Sequence, residues 1–483
     1  MQYLNNKTSR TAIISLILSA LLVGCSTLSV AEKPTIHAAY TLLAPSQSGD
    51  LLIYARTVID GVNADCPTLS SEQESIPTSP RQNPDSNNFP VTVCEAIIPF
   101  NRTLTILGTN IKLAAVKRSP ANILVIGDSG CKKKDCPKGE SAQPFGQLAI
   151  DAAKQPADLI LHMGDYNYRG TQGSLKFKGK KHPIYDAGDN SPSDSQCELE
   201  SPYYSQNAVG SSTADHWKKW RDDFFRPAKP LLMSAPWVFA RGNHELCSRA
   251  GPGWFYFLGP GSNLNGAAMP QLSCPDQGDL AKPDRNVLSH LKFVEPYQLK
   301  LASLQLLVLD SANACDGYDP QETTTLYTRQ LDQLAAMSTN QTLSWLVTHR
   351  PFWGIKNKGK QAVNVTLQKA LANSKNTALP SAVKLVLSGH KHLFQSLTFP
   401  SQRPPQLLVG NSGVALTSHA TEGSFKDLID DQFAIIDTIV QFGYLTISYN
   451  SDGSWHGVLR DGTKKLATCN SSNLPGSICQ AEP

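Results

Sequence analysis

The feature that most constrains the fold of this chain is a buried-type strand followed directly by polar side chains, which occurs five times. Each strand is a continuous apolar run, and helical segments separate the runs, which predicts an α/β core with helices on both faces. Ligands of open α/β sheets bind beyond the carboxyl ends of the strands, so we expect the polar residues to meet in one crevice. The strands are predicted at 122–126, 158–163, 237–240, 343–347 and 384–387, and the polar residues are Asp128, Asp165 with Tyr168, Asn243 with His244, His349, and His390 with His392.

The residue types after these strands suit two metal ions. Carboxylates and amide oxygens bind hard cations, imidazoles bind zinc and iron, and a phenolate binds Fe(III). One carboxylate can bridge two ions about 3.5–4 Å apart, a separation that suits in-line displacement at phosphorus. A single Gly-Asp turn or Asn-His pair is usually structural, but five such clusters at strand ends predict a dinuclear metal site.

The five clusters also form an ordered set of motifs. They read Asp128-Ser129-Gly130, Gly164-Asp165-Tyr166-Asn167-Tyr168, Gly242-Asn243-His244-Glu245, Thr348-His349 and Gly389-His390-Lys391-His392. This set resembles the calcineurin-like metallophosphoesterase superfamily over about residues 120–415, and within it the purple acid phosphatase subgroup. Many members have a ligating His where this chain has Gly130. In the purple acid phosphatase pattern a Tyr supplies the missing ligand, and Tyr168 occupies that position.

The resemblance implies a four-layer sandwich of two mixed β-sheets flanked by helices, and it assigns the metal ligands. The first metal, Fe(III), would be held by Asp128, Asp165, Tyr168 and His392. The second metal, which would be Fe, Zn or Mn, would be held by Asp165, Asn243, His349 and His390. Asp165 would bridge the two ions.

The resemblance also implies the reaction, which is hydrolysis of phosphate monoesters by a metal-bound hydroxide, as in acid phosphatases. His244 would face the substrate and act as an acid or oxyanion stabiliser. Arg241 and Arg350 adjoin the motifs and are candidate phosphate contacts. Alternatives on the same site are a phosphodiesterase or a nucleotidase, and a further alternative is a non-catalytic binding lipoprotein.

The first 24 residues are predicted to be a signal peptide. Lys7 and Arg10 precede a short apolar run that ends at Gly24, and Cys25 follows in a sequence that resembles the bacterial lipobox. We therefore expect lipidation of Cys25 and export to the outer membrane or the periplasmic face of a membrane, since Ser26 rather than Asp follows the cysteine. An ordinary signal peptide with an incidental cysteine is the alternative.

The cysteine content agrees with export. The chain has 11 cysteines, so that ten remain to pair if Cys25 is lipidated. The formal net charge of +4 is small for this length, which argues against nucleic acid as a partner. We expect a phosphate ester substrate, a membrane reached through the lipid anchor, and no obligate protein partner. The predicted local disulfides are Cys66–Cys94, Cys131–Cys136 and Cys469–Cys479, and Cys197, Cys247, Cys274 and Cys315 would pair in one of three ways.

The chain is predicted to contain two folded domains after the signal peptide. Residues 25–45 would be a lipidated tether, and residues 46–118 a small β-sandwich, because short strands alternate there with polar loops. Residues 119–483 would form the metallophosphoesterase domain. That domain would carry an insertion at 170–235 and a C-terminal β-hairpin with a disulfide-bonded tail.

Overall fold

A computed structural model describes most of the chain from Thr35 onward. The described residues are 35–131, 143–169, 174–177, 180–183, 215–247, 249–264, 268–274, 292–317, 319–338, 343–361 and 363–482. The predicted signal peptide, Cys25, Cys136, Cys197 and much of the predicted insertion lie outside these ranges. None of the described helices has the length and apolar character that a bilayer crossing requires.

In the described part of the chain, an eleven-stranded mixed sheet contains the first three predicted core strands. Its order is β27-β26-β25-β24-β9-β10-β13-β1-β2-β6-β5. Its strands are β1 (Ile36–Pro45), β2 (Leu51–Asp60), β5 (Ser79–Pro80), β6 (Val91–Ile97), β9 (Asn122–Ile126), β10 (Leu159–His162), β13 (Trp237–Phe239), β24 (Tyr444–Tyr449), β25 (Trp455–Asp461), β26 (Lys464–Asn470) and β27 (Cys479–Ala481). Strands β9, β10, β13 and β1 run parallel, so that the carboxyl ends of β9, β10 and β13 share one edge.

A second sheet of eight described strands contains the remaining predicted core strands, in the order β14-β15-β16-β19-β21-β20-β23-β22. These strands are β14 (Tyr297–Lys300), β15 (Gln305–Leu309), β16 (Ser344–Thr348), β19 (Val383–Ser388), β20 (Phe394–Thr398), β21 (Gln406–Val409), β22 (Gly423–Ile429) and β23 (Gln432–Ile439). Smaller sheets comprise β3 (Thr68–Ser70), β4 (Ser75–Pro77), β7 (Leu104–Ile106) and β8 (Lys112–Leu113), then β11 (Ser174–Phe177) with β12 (Lys180–Pro183), and β17 (Ile355–Asn357) with β18 (Lys360–Gln361).

The described helices are short apart from one of 17 residues. They are α1 (Pro144–Ala152), α2 (Trp217–Trp220), α3 (Arg226–Leu232), α4 (Gly251–Phe257), α5 (Gln321–Met337) and α6 (Val365–Asn373), with a π-helical turn at Arg221–Phe225 and 3₁₀ turns at Asn243–Glu245 and Ser471–Asn473. Helix α1 begins with Pro144, which lacks the N–H that a first turn cannot use. The side chain of Asn364 caps α6 by accepting from the Leu367 N–H.

The alternation of side chains along β15 shows how the layers are arranged. Leu306 and Val308 belong to the core that also contains the strands of the large sheet. Leu307 and Leu309 belong to a second core, which contains buried residues of α5 and α6. One face of the second sheet therefore packs against the first sheet and the other against helices. The predicted α/β sandwich of two mixed sheets flanked by helices is confirmed.

The N-terminal strands are β-rich as predicted, but their position differs from a freestanding sandwich. Strand β1 pairs with β2 on one side and with β13 on the other, where Leu42 lies opposite Trp237. The boundary expected at residue 118 thus does not separate two sheets. Residues 36–45 were expected to be tether and are instead a mostly buried strand. Pairing between positions so far apart along the chain leaves no local signal.

Buried charges fasten these N-terminal strands to α4. Arg56 and Arg81 each lie 3.0 Å from the same oxygen of Glu95, and all three side chains are essentially unexposed. Arg56 also donates to the Phe257 carbonyl at 2.8 Å, and Arg81 donates to the Phe255 carbonyl at 3.1 Å. A buried ion pair satisfied in this way resists separation, because removal of one partner leaves a charge without compensation.

The predicted C-terminal bound of the insertion at 170–235 is wrong. Its last residues, from Trp217 to Leu232, form α2, the π-helical turn and α3, and their apolar side chains are buried in the core.

The C-terminal hairpin is confirmed, with Tyr449 opposite Trp455. Two predicted disulfides, Cys66–Cys94 and Cys469–Cys479, are confirmed, and Cys247–Cys274 is one of the pairings left open. Cys131 and Cys315 are also disulfide-bonded.

Candidate metal centre

The candidate ligands lie where the carboxyl ends of strands from both sheets meet. Strands β9, β10 and β13 of the large sheet lead to the first three motifs, and β16 and β19 of the second sheet lead to the last two. The structure brings together all seven side chains that were predicted as ligands. The crevice predicted from the strand-end pattern is therefore formed by two facing sheets rather than by one.

One half of the centre surrounds the hydroxyl oxygen of Tyr168. This hydroxyl lies 2.9 Å from Asp128 Oδ1 and 2.9 Å from Asp165 Oδ2. It also lies 3.2 Å from His392 Nε2, and that nitrogen is 3.6 Å from Asp128 Oδ1. Two carboxylates, one phenol and one imidazole thus converge in the grouping predicted for the first metal.

The other half is built around His349. Its Nε2 lies 3.0 Å from Asn243 Oδ1 and 3.4 Å from Asp165 Oδ1. The potential ligand atoms of Asp165, His349 and His390 all lie within 4.8 Å of one another. Asp165 therefore directs one oxygen to each half of the centre and is the residue that would contact both metals.

Hydrogen bonds to the backbone fix which nitrogen of two imidazoles faces the centre. His349 donates from Nδ1 to the Met163 carbonyl at 2.7 Å. His392 donates from Nδ1 to the Ala415 carbonyl at 3.0 Å. Each ring therefore turns Nε2, rather than Nδ1, toward the carboxylates, which is the nitrogen that would bind a metal.

The electrostatics of the hollow favour a bound cation. Burial raises the pKa of Asp128 to about 8, with His349 opposing the rise and Asp165 adding to it. Burial and the carboxylates of Asp128 and Asp165 raise the pKa of Tyr168 well above its usual range. Burial lowers the pKa of His349, but the charge and the hydrogen bond of Asp165, together with the charge of Asp128, outweigh burial and raise that pKa to about 9. These oxygen and nitrogen donors fit metal ions, whose charge would stabilise the anions crowded here.

Three of the candidate ligands have backbone conformations that L-residues rarely adopt. The φ angles are 54° at Asp128, 60° at Asp165 and 71° at His390. Hydrogen bonds hold these turns, because the His390 N–H donates to Asp128 Oδ2 at 2.8 Å and the His244 N–H donates to Asp165 Oδ1 at 2.8 Å. Backbone strain of this kind persists only where surrounding structure enforces it, and it concentrates at functional sites.

The exchange of a His ligand for a Tyr ligand has a steric basis. A Cβ atom on Gly130 would lie 2.5 Å from the Tyr168 ring and 2.7 Å from the Tyr166 carbonyl oxygen. The ring of Tyr168 thus occupies the space that a side chain at position 130 would need. A larger residue at position 130 therefore does not fit beside Tyr168 in this structure.

Two buried carboxylates that sequence reasoning did not single out hold the ligand loops. Glu245 accepts four backbone N–H bonds, from Asp165, Tyr166, Asn167 and Gly242. Asp223, in the π-helical turn, accepts from the Tyr168 N–H at 2.6 Å and the Cys131 N–H at 2.9 Å. Glu245 belongs to the Gly-Asn-His-Glu motif, so the sequence carries a signal for it, whereas no sequence pattern marks Asp223.

His244 lies beside the centre rather than in it. Its ring centroid is 3.8 Å from that of Tyr168, and its side chain is partly exposed. This placement agrees with the prediction that His244 is not a ligand and can reach a substrate.

Both arginines that were predicted as phosphate contacts are buried and bonded within the protein. Arg241 donates to the Glu245 carbonyl at 2.8 Å and lies 3.2 Å from Asp310 Oδ2. Arg350 has no exposed side-chain area, and its Nη1 lies 3.1 Å from His390 Nε2. A phosphate contact for either residue stays a prediction. Sequence reasoning missed Arg249. Burial lowers its pKa to about 10, while the charges of Asp165 and Tyr168 act to raise that pKa.

The fold and the site together define a metallophosphoesterase. The model of the calcineurin-like phosphoesterase family matches residues 121–394, which is more than half of the chain. The chain belongs to the calcineurin-like phosphoesterase family. Membership makes it a phosphoric ester hydrolase and implies a dinuclear metal site.

Solved structures are similar to this chain at low sequence identity. PhoD is 12% identical, with 94% of this chain and 93% of that chain covered and a TM-score of 0.51. Purple acid phosphatase PPD1 from yellow lupin (Lupinus luteus) seeds is 13% identical, with 92% and 74% covered and a TM-score of 0.47. GAP50, the anchor in the inner membrane complex of Plasmodium, is 11% identical, with 73% and 88% covered and a TM-score of 0.32. No curated protein sequence matches the chain.

Proposed function

We propose that this protein is an acid phosphatase-like phosphomonoesterase with one iron and one further metal at the centre described above. The observation that carries this proposal is the division of the Asp165 oxygens, one at 2.9 Å from Tyr168 and the other at 3.4 Å from His349. In the proposed assignment, the first metal is held by Asp128, Asp165, Tyr168 and His392, and the second by Asp165, Asn243, His349 and His390.

The metals would supply Lewis-acid chemistry, which neutralises charge on the phosphoryl oxygens and lowers the pKa of water. The protein's own residues orient the reaction. Asp165 fixes the position of the His244 backbone, because the His244 N–H donates to Asp165 Oδ1 at 2.8 Å. The imidazole of His244 would then hold a proton near the leaving oxygen of the ester and assist its departure.

The proposed iron rests on Tyr168. A phenol whose pKa is raised by burial and two carboxylates ionises only with a strong positive charge beside it. A trivalent ion supplies that charge better than a divalent one, and phenolate is a ligand that Fe(III) prefers. The steric exclusion between Gly130 and Tyr168 supports the purple acid phosphatase type of centre.

We further propose that the protein is exported and held on a membrane through lipidated Cys25, at the outer membrane or the periplasmic face. The support is the charged start, the short apolar run and the lipobox-like sequence that precedes Cys25. The confirmed disulfides agree with an oxidising compartment.

Metal analysis, a visible spectrum and a panel of phosphate mono- and diesters would test the enzymatic proposal on protein purified from its membrane fraction. We expect two metals per chain, one of them iron, a visible absorption band that Tyr168→Phe removes, and faster turnover of monoesters. A colourless, fully active protein with two zinc ions would contradict the iron assignment. Faster turnover of diesters would favour a phosphodiesterase on the same site.

A further inference from the structure

The three histidines among the candidate ligands are oriented in two different ways. His349 and His392 each donate from Nδ1 to a backbone carbonyl and present Nε2 to the centre. His390 is reversed, because its Nε2 lies 2.7 Å from Oδ2 of Asp316. Arg350 Nη1 lies 3.1 Å from the same nitrogen. Because the Asp316 carboxylate is the nearer partner and an ionised carboxylate only accepts hydrogen bonds, we place the proton of His390 on Nε2. The lone pair of this ring is therefore on Nδ1.

Asp316 is itself held in place from three other directions. Arg350 donates to its Oδ1 at 3.0 Å, and Asn364 donates to the same oxygen at 2.8 Å. Lys391, which lies between the two histidines of the last motif, donates to its Oδ2 at 2.9 Å. Two cations and an amide thus fix the carboxylate, and its side chain is only 14% exposed. The aspartate is rigid enough to orient what it contacts.

We propose that Asp316 is a positioning residue that turns Nδ1 of His390 toward the second metal and sets the affinity of that half of the centre. Carboxylates that accept from a ligand histidine fix its ring and increase its basicity. Among the described residues, His390 is the candidate ligand to which Asp316 is hydrogen-bonded. The first half, around Tyr168, should therefore be insensitive to it. This inference rests on the proposed dinuclear centre.

The test compares metal binding by the full-length wild type, Asp316→Asn and Asp319→Asn. Asparagine keeps the shape but loses the charge, so we expect one metal to bind ~10–100-fold more weakly while the other is unchanged. Metal content after dialysis should fall from two per chain toward one, and the Tyr168-dependent absorption band should persist. Asp319 is exposed in the same loop, and its variant should bind both metals like the wild type.

Two further measurements separate orientation from general support of the fold. Lys391→Gln removes one of the two cations on Asp316 but keeps the Asp316–His390 bond, so this variant should weaken binding of the second metal less than Asp316→Asn does. Nitrogen-15 NMR of metal-free wild-type protein should find the proton of His390 on Nε2. Wild-type affinity at both sites in Asp316→Asn, equal loss of both metals, unfolding of that variant, or a proton on Nδ1 would each overturn the inference. A wild type that binds no metal would instead contradict the proposed function.

Discussion

Asp165 is the residue on which both halves of the centre depend. Its backbone has a φ of 60°, its N–H is bonded to Glu245 at 3.0 Å, and its two oxygens diverge toward Tyr168 and His349. The neighbouring histidines lower its pKa well below the usual range, although burial acts in the opposite direction. The lowered pKa keeps the Asp165 carboxylate ionised, as a carboxylate that contacts two metal ions must be.

Substitutions at the adjacent Asn243 and His244 should have different effects. Asn243→Ala removes the oxygen 3.0 Å from His349 Nε2, and we expect it to lose the second metal and most activity. His244→Ala should keep both metals and lower kcat by roughly 10²–10⁴-fold, the usual contribution of a general acid. Metal analysis beside steady-state kinetics measures both effects. A fully active His244→Ala variant would show that the acid role is wrong.

Arg249 is the cation that we expect to contact the substrate phosphate. The chain turns back after His244, whose carbonyl accepts from the Ala250 N–H at 3.1 Å. The charges of Asp165 and Tyr168 act on the guanidinium of Arg249 and oppose the lowering of its pKa by burial. Arg249→Ala should raise KM about tenfold or more, since a charge-assisted hydrogen bond contributes roughly 1.5–3 kcal/mol. Arg226→Ala removes an exposed charge on α3 and serves as the control. Equal KM values for the two variants would exclude the contact.

The ligands could be predicted from sequence and their supports could not, for a physical reason. Asp128 and His349 each follow a buried strand, so the sheet alone determines where they converge. The direction of the long Arg241 side chain is set instead by Asp310, which is 69 residues away. Asp316 likewise lies in a loop with no motif of its own. A side chain's neighbours in space are recorded in the sequence only where a regular element imposes them.

At the scale of elements, the helical stretch from Trp217 to Leu232 connects the insertion to the centre. Asp223 in its π-helical turn holds the loop of Tyr168, and Asp215 just before it accepts from Trp220 Nε1 at 3.1 Å and the Gly253 N–H at 2.7 Å. This stretch was predicted as part of an insertion at 170–235, which is rich in Gly, Ser, Lys and aromatic residues. The stretch is buried partly by α1, where the ring of Phe145 stacks on that of Phe224 at 6.3 Å, and no local sequence pattern records this contact.

Asp215 should make the stability of this region depend on pH. Burial raises its pKa to about 7 from 3.8, so between those values the folded chain holds a proton that the unfolded chain has released. The free energy of unfolding should therefore fall as pH rises from about 4 to 7. Asp215→Asn should flatten this dependence in urea titrations at pH 5 and pH 7.5. The exposed Asp65→Asn variant should behave like the wild type, and an unchanged slope in Asp215→Asn would contradict the assignment.

At the scale of the whole molecule, the N-terminal strands belong to the eleven-stranded sheet that leads to the first three ligand motifs. The family model starts at residue 121, close to the boundary expected at 119, yet β1 lies between β13 and β2. The strands themselves were predictable from their apolar runs. Their insertion beside β13 was not, because register between distant strands is decided by packing of the completed sheet.

A variant that begins at residue 119 should therefore fail to fold. Removal of β1, β2 and β6 would expose the edge of β13 and leave α4 without its bonds from Arg56 and Arg81. A variant that begins at residue 35 should melt cooperatively at the wild-type temperature. Circular dichroism and thermal melting of both variants provide the measurement. A cooperative transition in the shorter variant would show that residues 46–118 are an independent domain after all.

The placement of β1 also has a mechanical consequence. This strand is in register with β2 at nine positions and also borders β13, so a pull along its axis at Thr35 loads many hydrogen bonds simultaneously. Bonds loaded together in shear break at much higher force than bonds opened one after another. If Cys25 is the point of attachment, tension on the anchor would reach the eleven-stranded sheet through β1, whose hydrogen bonds would resist it together.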